Sequence, residues 1–576
     1  MRKKKASRIL PIVLMSSLII GTMTGCGNSA GSSSADASSE GTSAEESVAS
    51  EDDVAAAAEK YHRDENGNYT GKLTETPVTF TAFCGNGTGN FTTGTFSQSL
   101  IDNNQAIQKI FENTGITIDF ITPASGEEDS QFNLMIASGN YPDIIIGDTS
   151  TTYPGGIDQA IDDGVFVDFT PYLDTLLPNY KKFITENDTI WKEATTLQNR
   201  VATCYYLYNP EYPDKELEWW GQAVRQDMLD DLGLEIPTTV DEWETVLLAL
   251  KDAGVEVPYS MLTTSGMDAA FLAAYGIPIA PYTWENEIGI YADEDGKVTY
   301  GAIESGYKDY LTMMNRWYSE GLLDPEFMTR SWMTSADTIY AMYGDGRIGA
   351  IYSLDGILPT MVATSEAVDA NAVTTACPVP VLVDGGESPS VSIGKLYTSG
   401  HWFAISSACE DPELAMAFLD YLCSDDGVML TAFGVEGQSY TLQDDGTPMF
   451  TDAVMNCESG SSDGMRLNTA CALGIRGMEN VRNPIFKDDT IEEWDRVWTE
   501  SVNEYQTVYE LTADEESSAA AIMGDISTYV QEQTIKAITD ANVLADWDNI
   551  VANIEGMGMQ EALDIYQAGY DRYNNR

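Results

Sequence analysis

The chain has 576 residues, 43% of them hydrophobic and 10% aromatic, with 48 Gly; this exceeds what one core organises, so about two to four domain-sized units are expected and a disordered or collagen-like chain is excluded. Thirty Lys and Arg stand against 91 Asp and Glu, giving a net charge of −61. A field of that sign repels phosphate backbones, so nucleic acid is not an expected partner.

The first 25 residues carry Arg2, Lys3, Lys4, Lys5 and Arg8 and no acid, followed by a mostly apolar run over 9–20. That is the pattern of a secretory signal peptide. The run is too short to cross a bilayer core, which takes about 20 helical residues. Met23-Thr24-Gly25-Cys26 resembles a bacterial lipobox, with Met23 where Leu is usual; the resemblance implies cleavage before Cys26 and acylation of that residue. Residues 26–60 are Ser, Ala, Gly and acid with no aromatic side chain, so they bury too little apolar surface to offset ordering entropy and read as a flexible tether. The protein is therefore expected outside the cell, held to the membrane by acyl chains. The other seven cysteines, Cys84, Cys204, Cys377, Cys409, Cys423, Cys457 and Cys471, show no C-x-x-C spacing. Isolated thiols fit them better than a disulfide framework.

From Pro77 the pattern changes. Val78, Phe80 and Ala82 alternate with Thr79 and Thr81 as a strand; 97–114 reads as a helix, 116–121 as a strand and 130–138 as a helix leading to the unbroken apolar run Ile144-Ile145-Ile146. Such strands alternating with helices predict an α/β fold with a parallel sheet covered on both faces. Ligands then sit beyond the strands' carboxyl ends, at the loops 85–96 and 147–156. Thr239 and Glu242 have capping-box spacing ahead of the stripe Val240, Trp243, Val246, Leu247 and Leu250. Further helices are expected over 307–320, after Asp411-Pro412, and along Ile491, Trp494, Trp498, Val502 and Tyr505.

Four segments carry a family resemblance: Leu134-Met-Ile-Ala-Ser-Gly-Asn-Tyr-Pro-Asp143; Arg225-Gln-Asp-Met-Leu-Asp-Asp-Leu-Gly233 running to Asp241-Glu-Trp243; Gly296-Lys-Val-Thr-Tyr-Gly301 with Tyr318-Ser-Glu-Gly-Leu-Leu-Asp-Pro-Glu-Phe327; and Ile405-Ser-Ser-Ala-Cys-Glu-Asp-Pro-Glu413 with Phe433-Gly-Val-Glu-Gly-Gln-Ser-Tyr440. In this order, and together with the lipobox, they resemble the family 1 extracellular solute-binding proteins of ABC importers, in particular the large Gram-positive lipoproteins. The resemblance implies a type 2 periplasmic-binding-protein-like α/β fold of two lobes, 61–204 plus 400–500 and 205–399 plus 501–576, with chain crossings near 200–222, 400–406 and 490–510. It implies a monomeric receptor that holds a solute in the interlobe cleft, needs no catalytic group or cofactor, and hands its cargo to separate ABC permease subunits.

Motifs for other chemistry fit poorly. Gly85-Asn86-Gly87-Thr88-Gly89-Asn90 lacks the last glycine of a dinucleotide fingerprint. Gly460-Ser461-Ser462-Asp463-Gly464 has hydrolase-elbow spacing, but its upstream neighbours are polar and no His follows it. Only His62 and His401 exist, which leaves zinc sites and Ser-His-Asp triads little support; His401 reads as structural. Asp64-x-Asn66-x-Asn68 has EF-hand spacing, but Tyr69 stands where the sharp turn needs Gly, so an Asn-Gly turn is expected there while structural calcium stays open.

Sugar sites combine aromatic faces for the C–H surfaces with polar side chains for the hydroxyls. Trp243, Trp317, Trp494 and Trp498 lie on helical stripes, where core packing is the expectation. Trp219, Trp220, Trp284, Trp332 and Trp402 fall in loop or crossover context and are the aromatic candidates. Asn86, Asp148, Tyr153 and Asp355 are the polar candidates because each follows a predicted strand. The expected function is capture of a neutral oligosaccharide. The alternatives are a peptide or other small solute on the same fold, and a surface glycosidase or lyase.

Overall fold

The computed structural model describes residues 50–84, 98–123, 127–148, 153–207, 220–263, 267–278, 289–293, 295–330, 335–354, 357–392, 398–444, 446–457, 461–475, 489–505 and 508–576. Its strands in chain order are β1 (Val78–Cys84), β2 (Ile116–Ile121), β3 (Ile144–Asp148), β4 (Thr203–Leu207), β5 (Trp220–Arg225), β6 (Val257–Met261), β7 (Ile290–Ala292), β8 (Val298–Tyr300), β9 (Ile348–Leu354), β10 (Thr374–Cys377), β11 (Ser390–Ser392), β12 (Thr398–Ile405), β13 (Tyr440–Leu442), β14 (Pro448–Phe450) and β15 (Asn503–Tyr505).

Nine of them form two large sheets, one per lobe, and the other six pair as β7-β8, β11-β15 and β13-β14. The first large sheet has the order β2-β1-β3-β12-β4 and the second β10-β5-β9-β6. Each is covered on both faces, which explains the unbroken apolar strands: along β3, Ile144 and Ile146 point into one core while Ile145 points into the other. In the second sheet Val224, Ala350 and Tyr352 face one core, and Ala223 and Ile351 the other. The sheets are mixed rather than parallel. β12 runs antiparallel to both β3 and β4, and β5 runs antiparallel to β9 and β10. β12 returns from the second lobe, so it enters the first sheet from the end at which β3 leaves it.

Several expected boundaries shift for identifiable reasons. The helix expected over 97–114 is two, Gln98–Asn103 and Gln105–Thr114, because Asn104 between them turns its Oδ1 to the N–H groups of Ala106 and Ile107 and donates Nδ2–H to the Thr469 carbonyl at 2.7 Å. Residues 51–60, expected to be tether, form a helix capped by Ser50 with Glu51, Asp52 and Asp53 in its first turn, where the helix dipole favours them. Helix Asp489–Glu500 packs Trp494 and Trp498 against the second sheet, so it belongs to the second lobe and not to the first, as the boundary at 500 had placed it. It stops before Tyr505, which lies in β15. The capping box at Thr239 and the Asp411 cap form as read. At Asp64 the carboxylate accepts the N–H groups of Asn66 and Asn68, both at 2.9 Å, closing a turn with Gly67 at φ +89°.

In each lobe one fully buried carboxylate is raised by its burial. Asp420, in the first lobe, accepts from Tyr69 Oη (2.8 Å), the Asn179 N–H (2.8 Å), Asn179 Nδ2 (2.9 Å) and the Tyr180 N–H (3.1 Å), with Arg63 at 3.9 Å. Asp268, in the second, caps the helix Ala269–Ala274 through Ala270 and Phe271 N–H and accepts the hydroxyl proton of Tyr259. Gln222 Nε2 donates to Tyr259 Oη at 3.1 Å. Burial raises both carboxyl groups from 3.8 to about 6.

Two outcomes follow. Trp498 lies flat on Gly221 and donates Nε1–H to the Gln222 carbonyl at 3.0 Å; a Cβ at 221 would stand 2.1 Å from the indole. Gly221→Ala is expected to cost about 1–3 kcal/mol in a denaturant melt, and an unchanged midpoint would contradict this packing. Between 3.8 and about 6 the folded protein holds protons that the unfolded chain has released, so stability rises as pH falls from 7 to 5 and is lost again as pH climbs. The charge of −61 pushes in the same direction. Asp268→Asn keeps the cap and should rise less over that range than the parent in parallel thermal melts; equal slopes would show that Asp268 contributes nothing to the dependence.

Candidate functional site

Among the described residues the chain changes lobe three times, between Leu207 and Trp220, between Ser392 and Thr398, and between Ile475 and Asp489. The crossings expected near 400–406 and 490–510 therefore fall earlier, at 393–397 and 476–488. The first-lobe ends of all three meet. Leu207 is the register partner of Thr398 on β12, and its N–H donates to the Ile475 carbonyl at 2.8 Å. On the second lobe the strand that precedes the second crossing is tied to the segment after helix Asp489–Glu500: β11 pairs with β15, the Asn503 N–H donates to Pro389 O (2.8 Å), and Ser501 Oγ accepts the Val379 N–H (2.9 Å) two residues beyond β10. The three connections thus leave the first lobe at one seam, a geometry that permits rotation about it.

Aromatic side chains flank it on both sides. Tyr205 and Tyr206, half-buried, close β4 just before the first crossing. Trp220, half-buried, opens β5 just after it, with its ring 5.7 Å from that of Tyr352 and inclined by 31°. Opposite Tyr206, β12 bulges: Ser399 pairs with Tyr206 and Trp402 with Tyr205, leaving Gly400 and His401 unmatched on β4. Bulges re-aim side chains beside functional sites. This one brings the His401 ring 5.3 Å from Tyr206 and its Nε2 2.7 Å from the Gly474 carbonyl. Since a carbonyl only accepts, the proton sits on Nε2. His401 is also the register partner of Asp148 at the carboxyl end of β3.

Of the sequence candidates, Trp220 lies at this seam and Asp148 has its backbone there. Trp402 and Tyr153 are buried, 7% and 9% exposed, with Phe166 5.9 Å from each ring. Tyr153 donates Oη–H to Asp163 at 2.8 Å. Both rings are occupied in the core under the first sheet. Cys26, Asn86, Trp219, Trp284, Trp332 and Asp355 lie outside the described residues. Tyr206 was absent from the candidates, although two consecutive tyrosines at the end of the last strand before a crossing were a usable signal. His401 was read as structural, and its bond to Gly474 agrees.

The described residues contain no group of three or more His, Cys, Asp or Glu placed to hold a metal, and no helix long and apolar enough to cross a membrane. The second glycine of the hydrolase-elbow spacing has a packing role: a Cβ at Gly464 would meet the Val454 carbonyl oxygen at 2.0 Å. A cavity of about 460 Å³ is lined by Ala273, Pro278, Tyr291, Leu382, Val383 and Pro389 among others, all in the second lobe, so it is not the space between lobes.

A family model described as bacterial extracellular solute-binding protein matches residues 89–429. The fructooligosaccharide ABC transporter substrate-binding protein FusA of Streptococcus pneumoniae is 24% identical over 507 residues, covering 81% of this chain and 86% of FusA. The polygalacturonan/rhamnogalacturonan-binding protein YtcQ of Bacillus subtilis is 22% identical, over 81% of this chain and 88% of its own. An HMO-binding, ABC-transporter-associated solute-binding protein from Bifidobacterium longum infantis superposes with a TM-score of 0.68 at 18% identity, covering 87% of this chain and 99% of that one. The two-lobed fold is shared with it.

Proposed function

This chain belongs to the bacterial extracellular solute-binding protein family, and on that footing we propose that it captures a neutral oligosaccharide between its lobes and delivers it unchanged to the permease of an ABC importer. The observation that carries the proposal is the seam itself. One seam joins two independently packed lobes, and half-buried aromatic residues of both, Tyr205 and Tyr206 from one and Trp220 from the other, stand beside it, with Trp220 lying against the buried Tyr352 ring. Aromatic faces take up the C–H surfaces of sugars. Closure is driven only by a difference in affinity between the open and closed arrangements, so capture requires no reactive group. The named cargoes of the relatives are carbohydrates, which supports the class. The net charge of −61 favours an uncharged cargo over an anionic one.

We propose Trp219, Trp284 and Trp332 as further stacking residues and Asn86, Asp148 and Asp355 as hydroxyl partners of the cargo, with Trp402 and Tyr153 supporting the floor of the first lobe. The lipobox-like Met23-Thr24-Gly25-Cys26 supports a lipid anchor at Cys26 on the outer face of the membrane, with the protein acting as a monomer.

Titration calorimetry of the purified protein against a broad panel of neutral oligosaccharides and peptides tests this. One sugar class should bind with micromolar or tighter affinity and be recovered with unchanged mass, and Trp220→Ala should weaken it about tenfold, about 1.4 kcal/mol. Binding of peptides with none of the sugars would overturn the cargo class, and recovery of shortened sugar would overturn the non-catalytic role.

A further inference from the structure

Beside the seam the lobes touch through side chains as well as through the crossings. The first-lobe partner is the helix Asp188–Ala194 and the turn after it; Ile190 and Ala194 are anchored in that lobe's core, and the Thr398 N–H donates to Glu193 Oε2 at 3.0 Å where β12 enters its sheet. The second-lobe partner is the helix Gln560–Asn575, anchored through Leu563 and through Gln567, which accepts the Val298 N–H of β8 at 2.8 Å.

Between them lies Arg576. Its guanidinium pairs with Glu510 of the second lobe. Toward the first lobe it bonds Thr195 Oγ1, Asn199 Oδ1 (3.0 and 3.3 Å) and the Lys192 carbonyl (3.4 Å). Lys192 replies across the same gap, with Nζ 3.0 Å from the Tyr573 carbonyl and 4.8 Å from the centre of its ring. Arg572 fixes the remaining corner by bonding the Glu510 carbonyl and, at 2.8 Å, Glu515. Three of the 30 basic residues in a chain with 91 acids are gathered at this spot. The Arg576 and Glu510 side chains are each 13% exposed. A pair so removed from water is expensive to pull apart, because separation leaves a buried charge uncompensated. Asn199 reaches the guanidinium from a left-handed backbone, φ 56°, which asparagine tolerates better than most residues.

We infer that this cluster is a noncovalent fourth connection between the lobes, a latch in which the Arg576 fork grips both and sets the resting angle of the hinge. It deepens the receptor reading, since it names what biases the opening of the same cleft. Hydrogen bonds weaken steeply once a donor and acceptor separate beyond about 3.5 Å. A hinge rotation that moves helix Asp188–Ala194 away from Gln560–Asn575 by a few ångströms therefore breaks the grip, and arrangements that keep it are favoured. Cargo affinity then depends on the fraction of molecules already at the competent angle.

The test needs no sugar, so its result is independent of the cargo assignment. Nitroxides are placed on the full chain at Gln105→Cys in the first lobe and Asp252→Cys in the second, with the unmutated chain carried through labelling as background, and the interlobe distance distribution is read by pulsed electron resonance. Arg576→Ala should widen the distribution about twofold. Asn199→Gly, which keeps the left-handed backbone accessible and removes only a first-lobe acceptor, should widen it in the same sense. Parental distributions in both variants overturn the latch. Should Arg576→Ala lose its native circular dichroism, Asn199→Gly decides alone: widening upholds the latch, and a parental distribution reduces Arg576 to a structural tie within the second lobe.

Discussion

The hydrogen bond from the Leu207 N–H to the Ile475 carbonyl, beside the pairing of Leu207 with Thr398, is the contact on which the architecture turns. It places the first-lobe ends of three chain segments, drawn from widely separated parts of the sequence, at one point. Had those segments crossed at opposite edges of the sheets, the lobes would be braced against each other and relative rotation would break a core. Gathered at one edge, they let each lobe keep its own buried faces intact while the pair swings, which is how hinged binding proteins move.

The seam also gathers aromatic side chains. The bulge in β12 turns His401 toward Tyr206, and the bond to Gly474 locks that ring against the start of the third crossing. On the other side Trp498 lies on Gly221 and bonds Gln222, holding β5 so that Trp220 sits beside Tyr352. On the proposed reading, the pivot and the residues that meet the cargo belong to the same strand ends.

Local patterns in the sequence identified local structure well. The alternation of Val78, Phe80 and Ala82, the capping box at Thr239 and the Asp411-Pro412 start all form as read because their causes lie within a few residues. What escaped has distant causes. The break at Asn104 depends on Thr469, far along the chain; the helix bearing Trp494 and Trp498 shows an apolar stripe, but nothing in a stripe says which sheet it will cover; and the antiparallel course of β12 follows from the direction in which it returns from the other lobe. The same limit applies to the site. Trp220 could be picked out by its place at a crossing, whereas the seating of Trp402 and Tyr153 against Phe166 depends on packing that composition does not encode. Residues 51–60 were misjudged for another reason, since an alanine-rich helix and a tether share a composition and differ chiefly in the cap at Ser50 and the acids that follow it.

Small-angle X-ray scattering of the protein with and without its saturating oligosaccharide, followed by mass spectrometry of the released guest, examines the hinge and the chemistry in one measurement. The account requires a smaller radius of gyration in the loaded state and a guest of unaltered mass. An unchanged radius at saturation, or a guest returned in pieces, would contradict it.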